Sequence, residues 1–330
     1  MRIFLTGATG YIGSALCRRL APEGHELRAL VRPSSRTAEL HELGVATFVG
    51  DLADRASMRE GMSGADWVVH AAAELDPASP DRRMEAANVD GSDNVASLAS
   101  KLGVPRFLSV SSIAWFGGSP ADGRLANEES PPQRPFPTTY SATKHAGQQA
   151  IAAYAARGLR VNTVYPSLVY GPPGKRGGAN VMLKNLAKGR FPALIGADRK
   201  ASWVYLADVV DGIVRVIERA PAGRDYLLAG DVATVRELAD RVCALGGVAS
   251  PRRELSPGFA RAALTVAAPL MRLVGRRPPI PPRQIASLAR HWAFDDARAR
   301  TELGWQPRTL AEGLPPTVEF LLAQPAAEAA

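Results

Sequence analysis

Tyr140 and Lys144 stand four residues apart in Tyr140-Ser141-Ala142-Thr143-Lys144, heading a helical pattern that runs on through Ile151 and Tyr154. At that interval two side chains share one face of a helix. A phenol titrates at about 10 in water and is a poor base at neutral pH, whereas a neighbouring ammonium favours the phenolate. The pair is therefore suited to moving a proton to or from an alcohol or carbonyl oxygen. Upstream, Phe107-Leu108-Ser109-Val110-Ser111-Ser112 closes a strand-like run on two hydroxyls. The C-terminal edge of a strand is where α/β sheets hold their ligands, so Ser112 is the candidate partner for a substrate oxygen. Turn or capping chemistry is the competing use of such a serine cluster, and it suits Ser111.

A Tyr/Lys pair alone also arises by chance on surface helices; the N-terminal turn gives it a partner. Thr6-Gly7-Ala8-Thr9-Gly10-Tyr11-Ile12-Gly13 follows a strand-like start and opens a helix carrying Ala15, Leu16 and Leu20. Glycines there permit a tight reversal and let backbone N–H groups approach a pyrophosphate, which the helix N-terminus favours electrostatically. Gly7, Thr9, Gly10, Tyr11, Ile12 and Gly13 are thus the expected contacts of a nicotinamide dinucleotide, and Lys144 could hold its ribose hydroxyls. Where an acidic residue would select an unphosphorylated ribose, the chain reads Ala29-Leu30-Val31-Arg32-Pro33-Ser34-Ser35-Arg36. Arg32 and Arg36 could clasp a 2′-phosphate, so NADP is expected over NAD, with both arginines as mere solvated loop residues the alternative. Asp51, followed by Leu52, ends a third strand-like run where it could accept from the adenine amino group or cap a helix. His70-Ala71-Ala72-Ala73 ends a fourth, with His70, Ala71 and Ala72 expected beside the cofactor rather than in catalysis. Asn88 could order a relay water or brace the backbone. His291, beside Trp292, reads as structural. No Ser/His/Asp order, zinc spacing or Walker sequence occurs.

Strand-like segments at 2–6, 26–31, 45–49, 66–70 and 106–110 alternate with helical patterns such as 12–21 and 83–102, which predicts an α/β fold with a doubly wound parallel sheet. Pro- and Gly-rich runs at 117–137 and 171–178 read as substrate-side loops. Residues 1–170 are expected to form the dinucleotide domain, with 200–230 returning to it; 171–199 and 231–330 would form a smaller, mostly helical substrate domain. Phe259–Val274 is apolar but too short to span a membrane and is broken by Arg261 and Arg272, which favours a buried or lid-like helix. The 330 residues are 46% hydrophobic with a net charge of +8, but the basic residues are scattered, so no nucleic-acid partner is expected. Two cysteines, Cys17 and Cys243, exclude a disulfide framework and a cysteine-rich metal site. Met1-Arg2-Ile3-Phe4-Leu5 enters a strand directly, and the expected location is cytoplasmic.

Together the glycine turn, Asp51, the Ser-Ser strand end and Tyr140-Ser-Ala-Thr-Lys144 resemble the extended short-chain dehydrogenase/reductase superfamily, also called the NAD-dependent epimerase/dehydratase family. The resemblance continues in Tyr165-Pro166-Ser167-Leu168-Val169-Tyr170-Gly171-Pro172, in Trp203-Val204-Tyr205-Leu206-Ala207-Asp208 and in the late run 297–307. It implies a Rossmann domain with a substrate domain, Tyr140 as acid/base, Lys144 as its helper, Ser112 on the substrate oxygen, Tyr165 and Ser167 near the cofactor, and a homodimer through the Tyr140 helix. Three departures qualify it. Ala201 stands where sugar-nucleotide members carry a diphosphate-binding Arg, with Arg199 and Lys200 displaced from that place. Ile113-Ala114 replaces the Asp-Glu pair of the dehydratases, and Tyr165 replaces a common Arg. The end of the second strand and the apolar 258–283 region look more like the dihydroflavonol reductase and 3β-hydroxysteroid dehydrogenase branches. The expected activity is therefore NADP(H)-dependent interconversion of a small hydrophobic ketone or aldehyde and its alcohol. The alternatives are a sugar epimerase and a non-catalytic NADP(H)-binding sensor or scaffold.

Overall fold

A computed structural model describes residues 1–174, 178–273 and 284–324. In chain order the strands are β1 (Arg2–Thr6), β2 (Glu26–Val31), β3 (Ala46–Val49), β4 (Trp67–His70), β5 (Arg106–Val110), β6 (Val161–Pro166), β7 (Leu168–Tyr170), β8 (Leu194–Ile195), β9 (Lys200–Tyr205), β10 (Asp225–Leu228), β11 (Asp231–Thr234) and β12 (Glu254–Leu255). The helices are α1 (Tyr11–Leu20), α2 (Ala38–Glu42), α3 (Arg55–Met62), α4 (Asp81–Glu85), α5 (Gly91–Lys101), α6 (Thr139–Ala155), α7 (Gly178–Ala187), α8 (Leu206–Arg219), α9 (Val235–Leu245), α10 (Pro257–Leu273), α11 (Ile285–Leu288), α12 (Ala297–Leu303) and α13 (Leu310–Ala323).

Seven strands form one parallel sheet in the order β10-β6-β5-β4-β1-β2-β3. The first five coincide with the sequence expectation to within a residue. Parallel strands covered on both faces must be apolar throughout, and alternation sends neighbouring residues to opposite layers. Ile3 and Leu5 accordingly pack with Leu16 of α1 and with Val209 and Ile213 of α8, while Phe4 faces Met58 of α3 and Val95 and Leu98 of α5. Because β1 pairs with both β2 and β4, strand order reverses there. The crevice beyond their C-terminal ends is where such a sheet binds ligands.

A smaller sheet, β11-β9-β7, and the pair β12-β8 stand apart from the main one. Leu183 and Leu186 of α7, Leu238 and Val242 of α9 and Leu314 and Val318 of α13 share a core with Trp203 of β9. The late sequence run ties this region to the main sheet. Trp305 is fully buried and donates from Nε1 to the Asp208 carbonyl at 2.7 Å; Arg308 pairs with the Asp208 carboxylate at 2.7 Å and its guanidinium lies 4.7 Å over the Tyr205 ring.

The expected continuous helix at 83–102 is divided. A π-helical turn over Ala86–Asp90 joins α4 to α5. At this turn the Ser92 hydroxyl donates to the Asn88 carbonyl at 2.7 Å, and α6 approaches so closely at Gly147 that a Cβ there would stand 2.0 Å from the same oxygen. Phe259 and Val266 on α10 are 62% and 69% exposed, so the described part of this helix is not buried; the rest of the apolar 258–283 region lies partly outside the described residues. Among the described residues, no helix is long and apolar enough to cross a membrane.

Candidate active site

The glycine turn closes on backbone rather than on side chains. Gly7 adopts φ +77°, and a Cβ there would lie 2.7 Å from backbone atoms of Ala71 and Ala72. A Cβ on Gly13 would stand 2.1 Å from the Gly7 carbonyl oxygen. Gly10 begins α1 with no side-chain cap, so the first-turn N–H groups of Tyr11, Ile12 and Gly13 are available to an anion. A groove of about 240 Å³ opens there, between Thr9, Gly10, Tyr11 and Ser14 on one side and Pro173 and Gly174 on the other. Uncapped donors, a cradle too tight for a Cβ at Gly7 or Gly13 and an open groove fit a dinucleotide pyrophosphate.

Next to it, Ala8, Thr9, Ser14, Arg36 and Leu40 line a second pocket of about 310 Å³. Glu39 borders both spaces, but its carboxylate is paired with Arg18. Arg32 and Arg36 are exposed, and among the described residues neither enters an ion pair. The Asp51 side chain accepts from the Ala53 N–H at 2.9 Å, and Leu52 packs beside Gly91. The helix-cap alternative for Asp51 fails, because Asp54 caps α3 through the Ala56 N–H.

Tyr140, Lys144 and Ser112 meet at the C-terminal edge of β5. Thr138 starts α6 by accepting from the Ser141 N–H at 3.1 Å, which sets the Tyr140 and Lys144 face towards the sheet. Ser112 faces the Tyr140 phenol closely enough to favour its ionised form. Lys144 Nζ donates to the Val110 carbonyl at 3.3 Å. Burial pushes the Tyr140 phenol up to about 12, with Ser112 opposing it, and burial pulls the Lys144 ammonium down to about 8. At neutral pH this is a neutral phenol beside a charged lysine, the form that donates a proton. The serine assignment needs one correction: Ser112 accepts from the Ala114 N–H at 3.1 Å, so it is the turn-capping serine, whereas the buried Ser111 hydroxyl has no partner among the described residues.

Behind this edge runs a hydrogen-bonded chain that no local sequence pattern announced. The Ala72 N–H donates to the Thr6 hydroxyl at 3.4 Å, Thr6 bonds His70 Nδ1 at 2.7 Å, and His70 Nε2 bonds the Ser92 hydroxyl at 3.1 Å. Since Ser92 donates onward to Asn88, the chain is satisfied with His70 neutral and protonated on Nε2. Burial first, then the Lys144 charge, holds the imidazole down at about 3, so it carries no charge at neutral pH. Of the two uses considered for Asn88, bracing is the one its bonds perform: the amide exchanges bonds with both backbone groups of Glu74, at 2.7 and 3.1 Å, and donates to Thr143 at 3.1 Å.

Tyr165 lies among Phe116, Leu227 and Phe294 and donates to Asp225 at 3.3 Å, so its side chain serves that buried cluster rather than the groove. The Ser167 hydroxyl is likewise committed, to the Ala229 carbonyl at 2.6 Å. Ala201 is buried in β9; of its neighbours, Arg199 pairs with Asp198 and its guanidinium lies 2.9 Å from His291 Nε2. His291 also accepts from the Lys200 N–H at 3.0 Å, a structural clasp.

An anion-binding glycine turn at the strand-order reversal, beside a Tyr–Lys–Ser cluster, defines a dinucleotide-dependent α/β enzyme. The model of the NAD dependent epimerase/dehydratase family matches residues 3–229. A ketoreductase of Stigmatella aurantiaca, named for 4-hydroxy-2-methyl-3-oxo-4-farnesyl-3,4-dihydroquinoline-1-oxide, is 30% identical over 322 residues, covering 95% of each chain. UDP-glucose 4-epimerase of Mycolicibacterium smegmatis is 31% identical over 344 residues, covering 97% of this chain and 98% of its own. The crystal structure of gox2253 superposes with a TM-score of 0.84 at 29% identity, covering 97% of both chains. The chain belongs to the NAD-dependent epimerase/dehydratase family, the extended short-chain dehydrogenase/reductases, and is an NAD(P)-dependent enzyme of that type.

Proposed function

We propose that the protein is an NADP(H)-dependent reductase that interconverts a hydrophobic ketone or aldehyde and its alcohol. The observation that carries this reading is the meeting of Tyr140, Ser112 and Lys144 at the end of β5, two strands along the sheet from the glycine turn that follows β1. In this reading residues 1–170 and 200–230 hold the dinucleotide, while 171–199 and 231–330 contribute the substrate side. A reduced nicotinamide bound along the crevice supplies the hydride that goes to the carbonyl carbon. Tyr140 delivers its phenolic proton to the carbonyl oxygen, Ser112 donates to that oxygen as charge develops, and Lys144 stabilises the phenolate left behind. The farnesyl-bearing, 3-oxo compound in the name of the Stigmatella relative supports a bulky apolar carbonyl substrate. Against a sugar nucleotide stands the buried Ala201, with the nearby Arg199 already engaged.

The preference for NADP(H) rests on Arg36 at the 310 Å³ pocket and on Arg32 close by in sequence. Replacing both by Ala is expected to weaken NADPH binding about tenfold or more while changing NADH binding little, since a charge-assisted bond to phosphate contributes on the order of 1.5–3 kcal/mol. Fluorescence titration of both cofactors measures it; equal losses for the two would remove the 2′-phosphate from the account.

Absorbance of the reduced nicotinamide during addition of hydrophobic ketones and aldehydes tests the reaction itself. Substrate-dependent consumption of NADPH is expected. Turnover of a sugar nucleotide with no net consumption would establish the epimerase instead, and binding without any turnover would establish the sensor. The pH profile carries a sign of its own. Lys144 loses its proton as pH rises through about 8 while Tyr140 stays protonated to about 12, so carbonyl reduction should be level below pH 8 and decline above it. A rate that stays level to pH 10 would take Lys144 out of the mechanism.

A further inference from the structure

Tyr11 belongs to the glycine turn through its backbone, yet its side chain serves a different segment. Its hydroxyl donates to the Gly171 carbonyl and accepts from Asn180 Nδ2 at 3.2 Å. Asn180, on α7 and only 2% exposed, also accepts from the Gly171 N–H at 3.0 Å and donates to the carbonyls of Gly171 at 2.9 Å and Gly174 at 2.8 Å. The space between these groups is filled: a Cβ on Gly174 would lie 2.4 Å from the Tyr11 ring, and one on Gly171 would lie 2.9 Å from the Tyr205 ring. Pro173 and Gly174 in turn form the far wall of the groove that opens at the first turn of α1.

We propose that Tyr11 and Asn180 are positioning residues that latch the Gly171–Gly174 segment and α7 to the phosphate-binding turn, so that a dinucleotide in the groove fixes the substrate side before substrate arrives. The physical basis is shared contact. A pyrophosphate held on the α1 N-terminus would lie between the turn that carries Tyr11 and the wall formed by Pro173 and Gly174, and the tyrosine hydroxyl joins the two. Ordering α7 in advance lowers the entropy cost of binding substrate there. Substrate affinity then depends on a residue that need not touch substrate. This rests on the dinucleotide reading of the turn, but not on which carbonyl compound is reduced.

The test compares the wild type with Tyr11→Phe, Asn180→Ala and the double variant, each saturated with NADPH. Tyr11→Phe keeps the ring and removes only the hydroxyl, so it stays informative even if Asn180→Ala, which strips four bonds, does not fold. Amide hydrogen exchange across residues 178–187 should slow on NADPH binding in the wild type and not in Tyr11→Phe. Substrate KM should rise about tenfold, the factor that one lost hydrogen bond of ordinary strength gives, with a much smaller change in kcat. Because the two residues act as one unit, the double variant should be no worse than the poorer single. Retained slowing in Tyr11→Phe, no slowing in the wild type, or KM effects that multiply would each overturn the latch. NADPH-dependent slowing in the wild type that is lost in Tyr11→Phe, without turnover of any carbonyl, would support the latch and sink the reductase reading alone.

Discussion

Replacing Tyr140 by Phe is expected to lower the rate of carbonyl reduction by roughly a thousandfold while the protein still binds NADPH and stays folded, since a positioned general acid contributes on the order of 10²–10⁴ in rate. The substitution removes one hydroxyl and keeps the ring. It leaves the first turn of α1 and its uncapped donors untouched, so cofactor binding has no reason to fail. What remains is Ser112 alone on the substrate oxygen, with a hydroxyl already accepting from Ala114 and far too weak an acid to replace the phenol. Single-turnover measurement at saturating NADPH separates the chemical step from binding. A variant that reduces its substrate within a factor of ten of the wild type would end the case for Tyr140 as proton donor.

Gly13→Ala is the most damaging small substitution the dinucleotide site offers. The added methyl would sit 2.1 Å from the Gly7 carbonyl oxygen, which is backbone and has no rotamer to escape into. The turn would have to move, yet Gly7 is itself pressed against Ala71 and Ala72. Strain of this kind costs about 1–3 kcal/mol or more of stability, and a misplacement near an ångström of the groups that hold the pyrophosphate should weaken cofactor binding about a hundredfold. Thermal denaturation with and without NADPH reads both effects, because bound ligand raises the melting temperature of the wild type and should do so far less in the variant. By contrast Gly24→Ala meets no neighbouring atom within 4 Å and carries only the penalty of its positive φ. Equal behaviour of these two variants would show that the tight turn is not what the cofactor site requires.

The parts of the molecule legible in its sequence are those whose signal is local. Continuous apolar runs marked β1 to β5, and the Tyr140–Lys144 interval marked a helical face. What escaped depends on register or on distant partners. Thr6 and His70 are paired residues of β1 and β4, 64 positions apart, and only knowledge that these strands are neighbours puts the hydroxyl against the imidazole. Tyr11 and Asn180 are 169 positions apart, and Asp208 and Arg308 are 100. The small sheet escaped because its strands pair across segments far apart in the chain, Leu168 of β7 and Asp231 of β11 both with Trp203 of β9, and no local run announces such partners. The π turn escaped because Ala86–Asp90 has ordinary helical composition; only the hydroxyl of Ser92 and the approach of α6 mark it. For the serines, two adjacent hydroxyls gave no local reason to choose which one caps the turn.

The arginines beside the adenosine end have a consequence for how this protein can change. A Cβ on Gly7 or Gly13 would collide with backbone, so substitution at those two positions of the turn is closed. Arg32 and Arg36 are exposed and, among the described residues, hold no ion pair, so the fold asks nothing of them. If Arg32 and Arg36 read the 2′-phosphate as proposed, cofactor choice and structural integrity are written in separate residues. A lineage could then trade one dinucleotide for the other by drift at two surface positions, at no cost to the core, while the turn proposed to grip the pyrophosphate stays fixed.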